Sequence, residues 1–187
     1  MAANAYHFIT HWHLPSTCEE VSDILKNGED LPRWWPSVYL KTVLLEQGDE
    51  RGVGAVLDLY TKGWLPYTLR WKARVTEVNF ARGFSLAAEG DFVGRGVWSF
   101  QPDGGGVLVT YDWKISAEKR LLRRLSLLMK PVFAANHRWA MRMGEESINL
   151  ELRRRRAQTE EERARIPAPP GATFYWGKTA SPPGPLS

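Results

Sequence analysis

The sequence has little of what disulfides, metal centres and membrane spans require. Cys18 is the only cysteine, and there are four histidines, so an intrachain disulfide and a cysteine-based zinc site are excluded. No segment approaches the ~20 apolar residues of a transmembrane helix, and we see no signal peptide at the N-terminus. A single cysteine suits a reducing compartment, so we expect a cytoplasmic protein with no metal and no cofactor.

Most of the chain has no net charge, because its basic and acidic residues are equal in number. Residues 1–152 contain 18 basic and 18 acidic residues, and after Leu152 seven basic residues accompany three acidic ones. A neutral body argues against a nucleic-acid partner, which requires a broad basic surface. We interpret the run Arg153 to Arg156 as a solvated helix end, where cations face the negative end of the helix dipole.

Tryptophan, by contrast, is abundant, with nine residues in the chain. Each brings a large apolar surface and one N–H group that needs a partner when it is buried. The positions are Trp12, Trp34, Trp35, Trp64, Trp71, Trp98, Trp113, Trp139 and Trp176. So many in a chain of this size indicate a hydrophobic cavity with a few polar groups.

Alternation of apolar and polar residues predicts seven strands, antiparallel because their connections are short. The first runs from Tyr6 to Leu14, and one of its faces carries His7, His11 and His13, which favours an exposed edge over a zinc site. The others are predicted at Val38 to Glu46, Gly52 to Thr61, Tyr67 to Val78, Phe84 to Ala88, Phe92 to Gln101 and Val107 to Ser116. One face of this sheet is expected to be wet and the other covered.

Helical signals surround the strand-rich part of the chain. Ser16 or Thr17 is expected to cap a short helix through Leu25, and a second helical turn runs from Glu29 into Trp34-Trp35-Pro36. After the sheet, an amphipathic helix is predicted from Glu118 to Lys130. Pro131 is expected to break or kink it, before a longer helix through Ala157.

The segment from 158 to 187 is rich in proline and glycine. It predicts a mostly irregular tail after one domain spanning residues 1–157. Three aromatic residues in the tail are candidates for docking onto the domain: Phe174, Tyr175 and Trp176.

Four segments together resemble a known family. They are Trp34-Trp35-Pro36 and the stretches at 63–67, 90–98 and 136–142. They resemble the polyketide cyclase/dehydrase and lipid-transport group of the START-like (SRPBCC) superfamily, and the resemblance covers roughly residues 5–155. It implies an α+β helix-grip fold like that of the birch pollen allergen. In this fold a curved seven-stranded antiparallel sheet wraps around a long C-terminal helix, with two short helices after the first strand.

The resemblance also implies a hydrophobic ligand cavity between the sheet and the long helix. The implied function is binding of a polyketide, aromatic compound or lipid, because the superfamily includes carriers as well as enzymes. A cyclase/dehydrase reaction is one alternative. Lipid exchange at a membrane surface is another, with Lys119 to Lys130 as a weakly docking helix.

Candidate ligand-binding residues combine apolar walls with hydrogen-bonding groups. Strand alternation and helical spacing point to these walls: Trp71, Trp98, Trp113, Trp139 and Met143. Tyr67 and Tyr111 are on inward strand faces and are expected to donate hydrogen bonds to the ligand. Asn136 either satisfies a backbone group or binds ligand.

For an enzyme, the catalytic candidates are Tyr111, His137 and Arg95. Tyr111 or His137 would transfer a proton, and Arg95, between two glycines, would supply electrophilic support. Helical spacing places His137 on the flank of the helix, where surface hydrogen bonding is expected. Aromatic cyclases of the superfamily are thought to use a pocket arginine, but Arg70 and Arg74 are predicted on the wet face of the sheet. The oligomeric state, the ligand and catalysis itself stay open.

Overall fold

The computed structural model describes residues 5–118 and 120–173, without the side chains of residues 117 and 120–129. Strand β1 (Ala5–Leu14) is followed by α1 (Cys18–Leu25), a 3₁₀ turn (Gly28–Asp30) and α2 (Leu31–Trp34). Six strands follow: β2 (Tyr39–Glu46), β3 (Val56–Lys62), β4 (Thr68–Asn79), β5 (Gly83–Gly90), β6 (Phe92–Asp103) and β7 (Gly106–Ala117). The chain then forms α3 (Arg120–Arg156) and the short α4 (Glu160–Ala164).

The seven strands form one antiparallel sheet in the order β1-β7-β6-β5-β4-β3-β2. The first strand therefore pairs with the last, with Phe8 opposite Trp113 and Trp12 opposite Val109. Register shifts interrupt β2 and β4, and such irregularities bend and twist a strand. The predicted seven-stranded helix-grip architecture is confirmed.

The helix α1 begins as its sequence predicts. Thr17 accepts a hydrogen bond from the Glu20 backbone at 3.2 Å, and the Thr17 backbone donates to the Glu20 carboxylate at 2.9 Å. This reciprocal cap satisfies two amides that would otherwise lack partners. Val21 and Ile24 are fully buried, so α1 is held by its apolar face as well as by its cap.

The expected break at Pro131 is wrong, because α3 is a single 37-residue helix with Pro131 inside it. The alternative, a kink at this proline, stays a prediction. A proline removes one helical hydrogen bond and crowds the preceding turn. Helix α3 tolerates this because the part after the proline is anchored by packing, with Met141, Ile148 and Leu152 buried. Arg156, the last residue of α3, forms an ion pair with Glu20 at 2.6 Å.

The C-terminal segment folds back along the domain. Helix α4 interrupts the predicted irregular tail, and Thr159 caps it by accepting from Glu162 N at 3.1 Å. Arg154 then donates to the Pro167 carbonyl, and Thr173 reaches the loop between β3 and β4. The predicted docking of Phe174, Tyr175 and Trp176 lies outside the described residues.

Candidate functional site

An aromatic cavity of about 120 Å³ lies between the concave face of the sheet and α3. All strands except β5 contribute to one wall, and residues 133–141 of α3 supply the other. Eleven of its residues are aromatic: Tyr6, Phe8, Trp35, Tyr39, Tyr67, Trp71, Phe92, Trp98, Tyr111, Trp113 and Phe133. Four of the nine tryptophans therefore line one internal space.

Stacked rings form the floor of this cavity. The Trp98 and Tyr111 rings stack with centroids 4.1 Å apart, and Trp113 stacks on Tyr111 at 5.5 Å. Gly96 provides the room, because a Cβ atom there would lie 2.8 Å from the Tyr111 hydroxyl. Trp71 extends the floor toward β3, where its indole N–H donates to Thr61 Oγ1 at 3.2 Å.

One end of the cavity is closed by the loop between β3 and β4. Asn136 Oδ1 accepts a hydrogen bond from Leu65 N at 3.3 Å, so the amide satisfies a backbone group, one of the two alternatives left open by the sequence. A Cβ atom on Gly63 would lie 2.1 Å from this same oxygen. The loop therefore rests directly on α3, and a larger residue at position 63 would displace the Asn136 amide.

The tyrosines of the cavity are neutral hydrogen-bond donors at physiological pH. Burial, with a smaller contribution from Tyr6, raises the pKa of Tyr67 to about 12. Burial also raises the pKa of Tyr39 and of Tyr111 well above the usual value, and Tyr39 adds to the effect on Tyr111. Within the described part of the chain, neither Tyr39 nor Tyr111 has a hydrogen-bond partner for its hydroxyl group, so both are available to a ligand oxygen.

His137 lines the cavity, and its predicted position on the flank of the helix is wrong. Its ring stacks on Phe8 with centroids 4.2 Å apart, and its Nε2 lies 3.3 Å from Thr10 Oγ1. Burial, helped by the nearby positive charge of Arg138, lowers the pKa of His137 to about 4. The imidazole is therefore neutral at physiological pH and its Nε2 is tied to β1.

We expect His137 to make the protein sensitive to acid. Between pH 6.5 and 4 the unfolded chain binds a proton at this position that the folded protein does not, so the free energy of unfolding falls as the pH falls. The variant His137→Gln should lose this part of the pH dependence, measured by urea unfolding at pH 7 and pH 5. His11→Gln, at an exposed histidine of β1, is the control. An equal loss of stability on acidification in His137→Gln and the wild type would rule out this role.

The cavity collects most of the predicted site residues. Tyr67, Trp71, Trp98, Tyr111, Trp113, Asn136 and His137 all belong to its wall. Trp139 and Met143 do not, because the face of α3 that lines the cavity runs through residues 133, 137 and 141 and leaves both beside it. Their prediction as walls is corrected.

Arg95 also lies away from the cavity, contrary to its predicted role as electrophilic support. It is exposed on the outer face of β6, opposite Lys114 of β7. Strand alternation explains the error, because Gly96 and Trp98 of the same strand are buried inward positions and Arg95 takes the opposite phase. Among the residues that the structure describes, no arginine lines the cavity.

A second, wider space of about 460 Å³ adjoins the first. It lies between the short helices and strands β3 to β6, and it reaches the β2–β3 loop at residues 47–52. Five residues line both spaces: Trp35, Tyr39, Trp71, Trp98 and Tyr111. Tyr39 is not among the residues predicted from the sequence, and neither are Leu57, Phe84 and Leu86 of the second space, although strand alternation points the last three inward.

The parts of the chain that the structure describes contain neither a metal-binding cluster nor a membrane-spanning helix. Residues 5–118 and 120–173 hold no group of three or more histidine, cysteine or acidic side chains placed to bind a metal. Among the described helices, none has the length and apolar character needed to cross a bilayer.

A curved antiparallel sheet that holds a long helix over an aromatic cavity defines a helix-grip cavity protein. The family model for polyketide cyclase / dehydrase and lipid transport matches residues 14–147. The chain belongs to this family.

Solved structures share the fold at low sequence identity. The Zhui aromatase/cyclase of Streptomyces sp. R1128 is 16% identical, with a TM-score of 0.61 over 82% of this chain and 97% of the other. A protein of Thermus thermophilus is 18% identical, with a TM-score of 0.58 over 76% and 97%. The di-domain aromatase/cyclase StfQ of the steffimycin pathway is 15% identical, with a TM-score of 0.57 over 75% and 49%. A search of curated proteins gave no match.

Proposed function

We propose that the protein binds a hydrophobic small molecule, a polyketide, aromatic compound or lipid, between the sheet and α3. The observation that carries this proposal is the cavity itself, which combines stacked aromatic walls with tyrosine hydroxyls that have no partner in the described chain. Small-molecule sites are apolar clefts with a few polar groups that orient the ligand. Trp71, Trp98 and Trp113 would supply apolar contact, and Tyr67 and Tyr111 would orient the ligand.

The space is suited to a ligand larger than one ring. An apolar cavity of about 150 Å³ accommodates benzene, and the first space alone, at about 120 Å³, is no larger than that. The adjoining space of about 460 Å³ falls in the usual range of roughly 300–1,000 Å³ for small-molecule sites. Burial of apolar ligand surface contributes about 25 cal/mol per Å², so an extended ligand that enters both spaces gains the most.

Catalysis of the cyclase/dehydrase type is the second proposal, favoured because Tyr111 of the sheet wall and His137 of the helical wall line the same cavity. Tyr111 is a neutral hydroxyl donor, and neutral His137 is a potential proton acceptor. Arg95, the third predicted catalytic group, lies on the outer face of the sheet and takes no part in this proposal. Turnover of a poly-ketone that is lost in Tyr111→Phe would support this reaction, and equal turnover in that variant would exclude Tyr111 from it.

Three further expectations stay proposals. Lipid exchange at a membrane rests on the stretch from Lys119 to Lys130, and the side chains of residues 120–129 lie outside the described residues. The cytoplasmic location and the absence of a nucleic-acid partner rest on the single cysteine and the neutral body of the chain.

Native mass spectrometry of the full chain, purified from its own cells without organic solvent, tests the binding proposal. We expect a noncovalent complex with one apolar compound that dissociates on denaturation. Calorimetry with 2-naphthylmethanol, a neutral bicyclic probe, is expected to show saturable binding to the ligand-free chain. A bare chain mass together with no saturable binding of the probe would overturn the proposal.

A further inference from the structure

Lys62 is a buried cation in an otherwise apolar cavity. It is the last residue of β3, its exposure is 4%, and it belongs to the cavity wall. Among the described residues of that wall, no other is a lysine, arginine, aspartate or glutamate. Lysine is almost never fully buried unless it is paired. The partners of Lys62 therefore indicate what this position is suited to bind.

The described part of the chain offers Lys62 no opposite charge. Its Nζ donates to Thr173 Oγ1 at 3.4 Å, and that hydroxyl donates onward to the Trp64 carbonyl at 3.3 Å. In the part of the chain that the structure describes, no carboxylate lies within ion-pair distance of Nζ. Burial accordingly lowers the pKa of Lys62, because removing an ammonium from water without a counter-charge is unfavourable.

Another buried charge of the domain, the Glu151 carboxylate, is paired with opposite charges. The Glu151 carboxylate, whose exposure is 3%, accepts from Arg33 and from Arg155 at 2.8 Å and 2.9 Å. Lys62 has no equivalent arrangement. An anion supplied by a bound molecule would provide the missing charge.

The polar groups at this end of the cavity also suit an anion. Tyr67 is held as a neutral hydroxyl donor by burial. The oxygen of Asn136, a potential acceptor, is already engaged by Leu65 N. The donors beside the aromatic rings are therefore the Lys62 ammonium, the Tyr67 hydroxyl and the Tyr6 hydroxyl, which is buried without a partner in the described chain. Among the described residues of the wall there is no carboxylate to repel a negative group.

We propose that Lys62 binds the anionic oxygen of an amphipathic ligand, a carboxylate or an ionised phenol or enol, whose apolar part lies among the cavity rings. This inference rests on the proposed function, since it assigns a chemical class to the ligand of the same cavity. Lys62 supplies the charge, and Tyr67 supplies a hydrogen bond to the same polar group. The aromatic floor of Trp98, Tyr111 and Trp113 holds the rest.

Two probes of similar size and different charge test the proposal by calorimetry on the full chain at pH 7. They are 2-naphthoate, which is anionic, and 2-naphthylmethanol, which is neutral. A hydrogen bond to a charged group is worth enough to change affinity roughly tenfold or more. We expect the wild type to prefer 2-naphthoate by at least that factor and Lys62→Met to lose the preference, with about a twofold change at most for 2-naphthylmethanol.

Two variants control for folding and for general charge. Lys62→Arg keeps the cation and should keep the preference for the anion. Lys72→Met removes an exposed lysine on the outer face of β4 and should behave like the wild type. An unchanged ratio of the two affinities in Lys62→Met would overturn the role of Lys62 while leaving the binding function in place. Failure of both probes to bind the wild type would overturn the proposed function and this inference with it.

Discussion

Replacement of Ala140 by phenylalanine is expected to weaken binding of 2-naphthylmethanol by roughly a hundredfold, which corresponds to about 2.7 kcal/mol. Ala140 is in the helical wall of the first cavity, and a benzyl side chain there occupies space that the ligand needs. Because the ring enters an empty space of about 120 Å³ rather than a packed core, the protein should remain folded. The free energy of unfolding should change by less than about 1 kcal/mol, below the usual cost of overpacking.

Calorimetry and urea unfolding on the same preparation separate these two effects. Ala134→Phe is the matched control, because residue 134 lies on the same helix outside the cavity wall. The control should bind the probe as the wild type does. Binding that survives in Ala140→Phe would place the ligand elsewhere on the protein.

Substitution of Glu151 by glutamine is expected to lower the free energy of unfolding by roughly 2–3 kcal/mol. The carboxylate is buried and accepts two hydrogen bonds from Arg33, both at 2.8 Å, and one from Arg155 at 2.9 Å. Removal of one partner from a fully buried ion pair costs about 3–5 kcal/mol. The expected value is smaller because the two arginine side chains are 50% and 39% exposed and retain water after the change.

The same carboxylate should produce a pH dependence with a definite sign. Burial alone would raise the pKa of Glu151, but the hydrogen bonds from Arg33 and Arg155 outweigh it and hold the pKa below its ordinary value. The stabilisation is therefore complete above the unfolded-state pKa of about 4.3 and is lost as the pH falls through the lower folded-state value. The stability difference between wild type and Glu151→Gln should be largest at pH 7 and shrink below pH 4.

Urea unfolding of both proteins between pH 7 and pH 3 measures this difference. Glu19→Gln, at an exposed glutamate of α1, is the control and should match the wild type within about 0.5 kcal/mol, as expected for surface substitutions. A Glu151→Gln variant as stable as that control at pH 7 would show that the buried ion pairs contribute nothing net.

Strand positions were predictable because a half-buried antiparallel sheet has a simple signature. Alternation of side chains places Trp71, Trp98, Tyr111 and Trp113 inward, and each lies in the cavity wall. The cap at Thr17 was equally readable, since a hydroxyl followed three residues later by glutamate defines it locally. Neither result depends on where distant parts of the chain meet.

The face of α3 was not predictable in the same way. Several stripes along a long amphipathic helix contain apolar residues. Which of them faces the cavity depends on the rotation of the helix against the sheet. The stacking of His137 on Phe8 and the contact of Asn136 with Leu65 show the actual rotation, which leaves Trp139 and Met143 outside the cavity. The predicted break at Pro131 was wrong for a similar reason. Packing of the helix after the proline outweighs the local cost of the proline.

Lys62 shows the limit of reading strands one at a time. The strand predicted from the sequence ends at Thr61, which is buried, and strict alternation would turn the next side chain outward. Its burial depends on the end of the strand, on the loop that rests on α3, and on Thr173, which is 111 residues away in sequence. No local signal contains that contact.

A crystal structure of the protein with 2-naphthylmethanol tests the central claim, that the ligand site is the aromatic cavity between the sheet and α3. We predict density for the naphthalene rings against Trp98, Tyr111 and Trp113, with the hydroxyl group within hydrogen-bond distance of Tyr67 or Tyr111. A cavity without density in crystals that contain the bound probe on the outer surface would contradict the account.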